Sequence, residues 1–222
     1  MARELGGAHV VVVGATGVLG AAIAQEFATR GARVSAIVRD HARLDGASVA
    51  QYALADVTDH AALRVAFASV APFDGVVNAT GVVAFGNVTD LDDSTLSRLF
   101  AVNSVAPVVM LRESSAHLAD GGFFMNLSGV VATQPVGGMA AYSASKAAAW
   151  AAMSAASREF RRRRIDVIDV RPPHTETGLA GRAIAGTAPK MPQGLDPETV
   201  ARRIVDAAAA GERDLPVEAF AN

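Results

Sequence analysis

The sequence predicts an α/β fold: a single-domain, doubly wound parallel sheet with helices on both faces. Three observations carry this. The strand candidates are continuous β-branched runs, which suit strands buried on both faces. They alternate regularly with helix-length segments. A glycine-rich turn joins the first strand to the first helix. With 222 residues, 51% of them hydrophobic, one domain over 1–222 has enough apolar surface for its own core.

His9 to Val13 opens the series as a buried strand ending at Gly14. Val18 to Arg30 reads as the first helix, closed by Gly31 just past its C-cap, where a left-handed residue is common. Arg33 to Val38 is the second strand, and this βαβ unit takes a right-handed crossover. Val49 to Leu54 is a weak third strand and Thr58 to Val70 a helix. Phe73 to Asn78 is the fourth strand, followed by a long helical stretch from Leu91 to His117. Gly122 to Leu127 is the fifth strand, Ala141 to Arg163 a second long helix, and Ile165 to Val170 the sixth strand. Asp196 is placed to cap a late helix over Pro197 to Ala210, and Leu215 to Phe220 reads as a last strand. The alternation is of Rossmann type.

Composition removes several classes of function. There is no cysteine, so disulfides, thiolate nucleophiles and zinc–sulfur sites are excluded. A net charge of −2 argues against nucleic acid as a partner, because phosphate binding needs surplus cations. Histidines 9, 41, 60, 117 and 174 lack metal-ligand spacing, and no metal is expected. The tract from Gly121 to Ser145 is uncharged and long enough to span a bilayer. It contains Asn126, Ser128, Gln134, Pro135 and several glycines, so it cannot form one apolar helix. Met1-Ala2-Arg3-Glu4 does not begin a signal peptide. A cytoplasmic protein with no membrane partner is expected. The run Arg161 to Arg164 reads as a solvated helix end that complements the dipole.

Gly14-Ala15-Thr16-Gly17-Val18-Leu19-Gly20 lies between the first strand and first helix. Such a turn lets the backbone approach a pyrophosphate, and the helix start offers unpaired N–H groups and a positive dipole end. The second strand ends Val38-Arg39-Asp40. An acid there suits the ribose of NAD(H), whereas arginine suits a 2′-phosphate. Arg39 therefore points to NADP(H) over NAD(H), although it also reads as a solvated surface residue and Asp40 as its partner or a ribose ligand. Tyr142 and Lys146, four apart at the start of a helix, share one helix face. An ammonium beside a phenol lowers its pKa from about 10 and fits it for proton transfer. Lys146 is one of only two lysines in the chain.

With these residues in place the sequence resembles the short-chain dehydrogenase/reductase family. The matching segments are Gly14-x-x-Gly17-x-x-Gly20, Asp56-Val57, Asn78-Ala79-Thr80-Gly81, Asn103, Tyr142-x-x-x-Lys146 and Pro172 to Thr177, in the family's order and at its spacing. The resemblance implies that Tyr142 is the general acid–base, and that Lys146 binds the nicotinamide ribose and depresses the tyrosine pKa. It implies that Asn103 holds a relay water, that Asp56 and Val57 line the adenine pocket, and that Asn78, Ala79 and Gly81 turn the chain beside the cofactor. Thr16, Val18 and Leu19 belong to the phosphate turn, and Pro172, Thr175 and Thr177 to the carboxamide site. The substrate is then a small carbonyl compound or its alcohol.

Three departures qualify the match. The family's serine lies thirteen residues before the tyrosine, where this chain has Gly129; Ser128 substitutes only if its hydroxyl reaches the pocket. The glycine spacing is that of the family's extended branch. Pro172-Pro173 replaces Pro-Gly, stiffening the backbone. A loop over 178–194, rich in Gly, Pro, Ala and Thr, reads as a lid forming much of a largely apolar pocket. The family's pairing of its long helices implies a homodimer or homotetramer. The missing serine keeps open a second reading, a dinucleotide-binding protein without redox turnover: a cofactor-gated regulator, or a lyase or isomerase.

Overall fold

Six strands form one sheet: β1 (His9–Val13), β2 (Arg33–Val38), β3 (Gln51–Leu54), β4 (Phe73–Asn78), β5 (Leu118–Leu127) and β6 (Asp166–Val170). Their order is β3-β2-β1-β4-β5-β6 and every neighbouring pair is parallel. This computed structural model describes residues 2–44 and 48–221. Met1, 45–47 and Asn222, which the sequence reading included in one domain over 1–222, lie outside the described residues.

The helices are α1 (Val18–Thr29), α2 (His60–Val70), α3 (Asp93–Phe100), α4 (Ala106–Ser115), α5 (Ala140–Glu159) and α6 (Pro197–Ala210). Strand side chains alternate between faces, so Val10 and Val12 face one way and Val11 and Val13 the other. All four are fully buried, which requires helices on both sides. Ile23 and Phe27 of α1, with Val200, Ile204 and Val205 of α6, cover the first face. Leu63 and Phe67 of α2, Val109 and Met110 of α4 and Met153 of α5 cover the second. Each such side chain contributes about 1.5–3 kcal/mol through burial.

The helix starts follow from their caps. Asp59, Asp92 and Asp196 accept hydrogen bonds from the first turns of α2, α3 and α6. The predicted start of α2 at Thr58 moves to His60 because the Thr58 side chain is bonded to Asp56 instead. At the amino end of the sheet His9 Nε2 lies 2.6 Å from Ser35 Oγ and Nδ1 lies 2.6 Å from the Pro72 carbonyl, a fully partnered buried histidine.

Several boundaries differ from expectation. The stretch Leu91 to His117 is not one α-helix: a π turn over Ala101–Val105 separates α3 from α4. Residues 93–115 together are long and apolar enough to cross a membrane, but half of the apolar window is buried, as in a core helix. The uncharged tract from Gly121 to Ser145 is divided among β5, a 3₁₀ turn (Val130–Ala132) and the start of α5. At the end of α5 the chain tightens into a 3₁₀ turn, Phe160–Arg163. Within that basic run Arg163 is not free in solvent: it donates to the Ser115 carbonyl at 2.6 Å and Asp120 Oδ1 at 2.8 Å. The expected last strand, Leu215 to Phe220, reduces to a single bridge between Leu215 and Val170. Pro216 has no N–H to extend the ladder, and the chain turns into a 3₁₀ helix that buries Phe220.

Phe123 ties the two halves of the sheet. Its ring stacks on Phe27 with centroids 6.0 Å apart. A Cβ on Gly75 would lie 2.2 Å from that ring, so β4 and β5 approach only because residue 75 has no side chain. Gly75→Ala is expected to destabilise the fold by about 1–3 kcal/mol through overpacking, read as a lower urea midpoint at constant m-value. Adding Phe123→Leu should return part of that loss; full additivity would mean the two positions do not compete for the same space.

Candidate active site

The carboxyl ends of all six strands meet along one edge of the sheet, and the strand order reverses between β1 and β4. Ligands of open α/β sheets bind at such a switch point. Gly14 leaves β1 with φ of +89°, and Gly17 N–H donates to the Gly14 carbonyl at 3.0 Å. A Cβ on Gly20 would stand 2.3 Å from the Gly14 oxygen, so only glycine lets the first turn of α1 pack beneath this loop. Gly17 caps α1 with no side-chain bond, and no acid sits in the first turn. The N–H groups at the start of α1, including those of Val18 and Leu19, therefore face outward with the positive dipole end, as an anion requires. Thr16 lies part-buried at the rim, Val18 is half-exposed and Leu19 packs into the core. These residues fit a dinucleotide pyrophosphate.

Beyond β2, the Arg39 side chain is 69% exposed, with Nη1 4.0 Å from Asp56 Oδ2. Asp56 accepts from Thr58 N–H at 2.8 Å and from Thr58 Oγ1 at 2.7 Å. Burial raises this carboxyl, but the Thr58 hydrogen bonds and the charges of Arg98 and Arg39 prevail and hold it below the usual range. Asp40 turns away from Arg39 and accepts from Ala42 N–H at 2.9 Å. Arg39 is thus loosely held beside Asp56 and the buried Val57, and its guanidinium is available for an anion.

The π turn between α3 and α4 carries Asn103, consistent with the tendency of such turns to mark functional positions. Its carboxamide is locked: Oδ1 accepts from Val82 N–H at 3.0 Å, while Nδ2 donates to the Val82 carbonyl at 2.8 Å and Ser145 Oγ at 3.0 Å. This fixes the loop after β4 that holds Ala79 and Gly81. Lys146 Nζ donates to the Leu127 carbonyl at 2.9 Å. A Cβ on Gly81 would stand 3.1 Å from Lys146 Nζ and 3.4 Å from Asn103 Oδ1, so glycine leaves room for both groups. Asn103, Gly81 and Lys146 are brought together here, with Tyr142 one turn before Lys146 on α5.

The electrostatics of the pair differ from expectation. Burial pushes the Tyr142 phenol up to about 12, the opposite direction to the depression expected from Lys146. Tyr142 packs among Val83, Ala84, Phe85 and Leu99, where a phenolate would be poorly solvated, and the ammonium is directed at Leu127. Lys146 is itself lowered to about 8 by burial, opposed by the negative charge of Asp169.

Beneath these groups runs a buried polar ladder. Asn78, Asn126 and Asp169 stand in register on β4, β5 and β6. Asn78 Nδ2 donates to Asn126 Oδ1 at 2.9 Å, and Asn126 Nδ2 to Asp169 Oδ2 at 3.0 Å. Thr80 closes one end on Asn78 Oδ1. At the other end Arg171 donates to Asp169 Oδ1 at 3.4 Å and to Asp214 Oδ2 at 2.8 Å. The Ser128 hydroxyl donates to Asp169 Oδ1. Its single proton is thereby engaged and the residue is 1% exposed, so Ser128 does not replace the missing serine. Gly129 has φ of +82° and ψ of 164°, a region essentially reserved for glycine.

The segment 178–194 is a roof stitched at two places. Ala84 bridges Ala185, Phe85 N–H donates to the Ala185 carbonyl at 2.9 Å and Ile184 N–H to the Val83 carbonyl at 2.8 Å. Thr175 bridges Leu195, with Leu195 N–H donating to the His174 carbonyl at 2.8 Å. Of the residues after β6, the Pro172 carbonyl accepts from Val130 N–H, Thr175 Oγ1 donates to the Pro173 carbonyl, and Thr177 Oγ1 accepts from Leu179 N–H. Beside Tyr142 a small cavity of about 10 Å³, lined by Phe85, Asn87, Leu91, Leu99 and Met139 among others, has room for a single water.

Sequence reasoning missed Asp169, Asn126 and Arg171 as parts of the site. The available signal was a polar residue interrupting three buried strands near their carboxyl ends: Val77-Asn78, Met125-Asn126 and Ile168-Asp169.

Residues 8–187 match the family model described as short chain dehydrogenase. An uncharacterized oxidoreductase of Methylorubrum extorquens is 31% identical over 212 residues, 88% of this chain and 84% of that protein. The cyclic-di-GMP-binding biofilm dispersal mediator protein of Escherichia coli K12 is 31% identical over 176 residues, covering 77% and 74%. A short chain dehydrogenase from Burkholderia cenocepacia J2315, solved in complex with NADP, superposes with a TM-score of 0.84 at 26% identity, covering 97% and 98%.

Burial pushes the Asp169 carboxyl up to about 6, against the Ser128 and Asn126 hydrogen bonds. Ser128→Ala removes one donor to this carboxylate and should raise its pKa further. The variant is expected to lose about 1–3 kcal/mol of stability at pH 8. The loss should be smaller at pH 5, where Asp169 is protonated in the folded state. Urea unfolding at both pH values decides this, and an equal loss at the two would remove the charge-assisted bond from the account.

Proposed function

The chain belongs to the short-chain dehydrogenase/reductase family of NAD(P)-dependent oxidoreductases, and on that premise we propose that it uses NADP(H) to interconvert a small or medium apolar ketone or aldehyde with its alcohol. The observation that supports the reading is that Lys146 and Asn103 meet at Gly81, one helical turn from Tyr142, while the start of α1 carries no acid.

In this reading the turn from Gly14 to Gly20 holds the pyrophosphate and Arg39 the 2′-phosphate, with Asp56 and Val57 at the adenine. Asn78, Ala79 and Gly81 border the nicotinamide ribose, whose hydroxyls Lys146 binds, and Pro172, Thr175 and Thr177 hold the carboxamide. The bound nicotinamide supplies or accepts the hydride. Tyr142 handles the proton: a phenol with a pKa of about 12 stays protonated at neutral pH, which suits donation to the carbonyl oxygen in the reducing direction. Asn103 keeps the loop after β4 and α5 in register through Val82 and Ser145. The apolar lining around Tyr142 supports a largely apolar substrate. Leu179, Ala180, Ala183 and Ala185 pack on the cluster that holds Tyr142, so in this reading the segment 178–194 lifts away from 83–86 to admit substrate. Exposed Leu96, Val105 and Val108, on α3, the π turn and α4, support assembly of copies through these helices.

Gly129 favours a second reading, a dinucleotide-binding regulator without redox turnover. Glycine stands at the expected serine position, the neighbouring Ser128 hydroxyl is bonded to Asp169, and one similar protein is named for ligand binding rather than catalysis. Fluorescence titration with NADPH and NADH, then a carbonyl panel at saturating cofactor, separates the two: tight binding with no turnover on a broad panel supports the regulator.

Tyr142→Phe is expected to lower kcat by at least about 100-fold while changing NADPH affinity less than about threefold; unchanged turnover would remove Tyr142 from proton transfer. Arg39→Ala should weaken NADPH binding by roughly 10- to 100-fold, the range of charge-assisted bonds to a phosphate, and NADH binding little. Equal losses for both cofactors would leave Arg39 as a surface residue.

A further inference from the structure

Asp169 is a carboxylate near the carboxyl end of a buried parallel strand, 4% exposed between the fully buried Ile168 and Val170. Burying a charge costs free energy unless it is paired and hydrogen-bonded, so its partners indicate its use. The groups facing it are Asn126 from β5, Ser128 just past that strand, Arg171 just past β6 with Asp214 behind it, and Lys146 from α5; Tyr142, on the same helix as Lys146, is a neutral phenol.

The arrangement on β5 is specific. Asp169 Oδ2 accepts from Asn126 and Oδ1 from Ser128. Leu127, between those two residues, offers the carbonyl that receives Lys146 Nζ at 2.9 Å. Asp169 therefore grips the residues on either side of the group that anchors the ammonium, while its own charge lies on the same buried side of the sheet. A neutral amide at 169 could retain an acceptor for Ser128 but would present no charge.

We propose that Asp169 is a positioning residue for Lys146: it fixes the Leu127 carbonyl that orients the ammonium and supplies the buried negative charge that keeps Lys146 protonated. Lys146 is then a cation at neutral pH although burial alone disfavours its charge, and the bond taken from Ser128 serves the clamp. The consequence for cofactor binding rests on the oxidoreductase reading given above.

The chain has only two lysines, and exposed Lys190 serves as an internal reference, so NMR of ¹³C-lysine-labelled protein follows Lys146 directly. In the wild type the Lys146 resonance should titrate at about 8 and show a second inflection at about 6 as Asp169 ionises. In Asp169→Asn the second inflection should vanish and the midpoint should fall by about one pH unit, as removal of a close opposite charge requires. The alkaline loss of NADPH affinity should move with it. A midpoint shifted by less than about 0.3 unit would overturn the proposal, since one unit corresponds to about 1.4 kcal/mol of interaction. If Asp169→Asn fails to fold, a wild-type resonance without the inflection near 6 overturns it equally. Absence of NADPH binding in the wild type would sink the oxidoreductase reading, while the two titration midpoints would still decide the role of Asp169.

Discussion

A parallel sheet covered on both faces leaves almost no place for polar chemistry, and that constraint organises this molecule. Every side chain of β1, β4 and β6 that points into a core must be apolar or fully hydrogen-bonded. The described strands obey it by confining their buried polar side chains to two hydrogen-bonded groups, the His9–Ser35 pair at the amino end and the Asn78–Asn126–Asp169 ladder at the carboxyl end. Right-handed crossovers return each following helix to the sheet so that helix N-termini gather at the carboxyl edge. The anion-binding start of α1, the locked loop after β4, the start of α5 and the roof over Tyr142 all fall on that edge for the same reason. The reactive groups converge because the rest of the sheet excludes them.

Much of this was legible in the sequence because it is local. Val10 to Val13 announces a doubly buried strand, Gly31 a helix stop and Asp196 a cap, each from a few adjacent residues. Tyr142 and Lys146 were legible because helical periodicity places residues four apart on one face. What escaped depends on register between distant segments. The fate of Ser128 is decided by Asp169, 41 residues later, and no local pattern states that β5 and β6 align Asn126 with Asp169. The π turn at Ala101–Val105 escaped because its sequence is an ordinary helical one; Asn103 holds it by bonding to Val82 from another element. The overcalled last strand had its warning in Pro216, which lacks the donor a strand needs.

The proton chemistry of the site turns on one cause acting twice. Burial disfavours charge, so it pushes Tyr142 up and Lys146 down from their ordinary values. Burial alone would weaken the charge on both groups, and the carboxylate of Asp169 opposes it only at Lys146. The two are unequal because Lys146 lies near a carboxylate and Tyr142 lies in an apolar cluster under the roof. Leu179, Ala180 and Ala183 of the segment 178–194 pack on that cluster and so add to the burial that raises the phenol, whereas Lys146 is held on β5 through the Leu127 carbonyl. One group is buried among apolar side chains and the other against a hydrogen-bonded polar ladder, and that difference in surroundings separates their charge states.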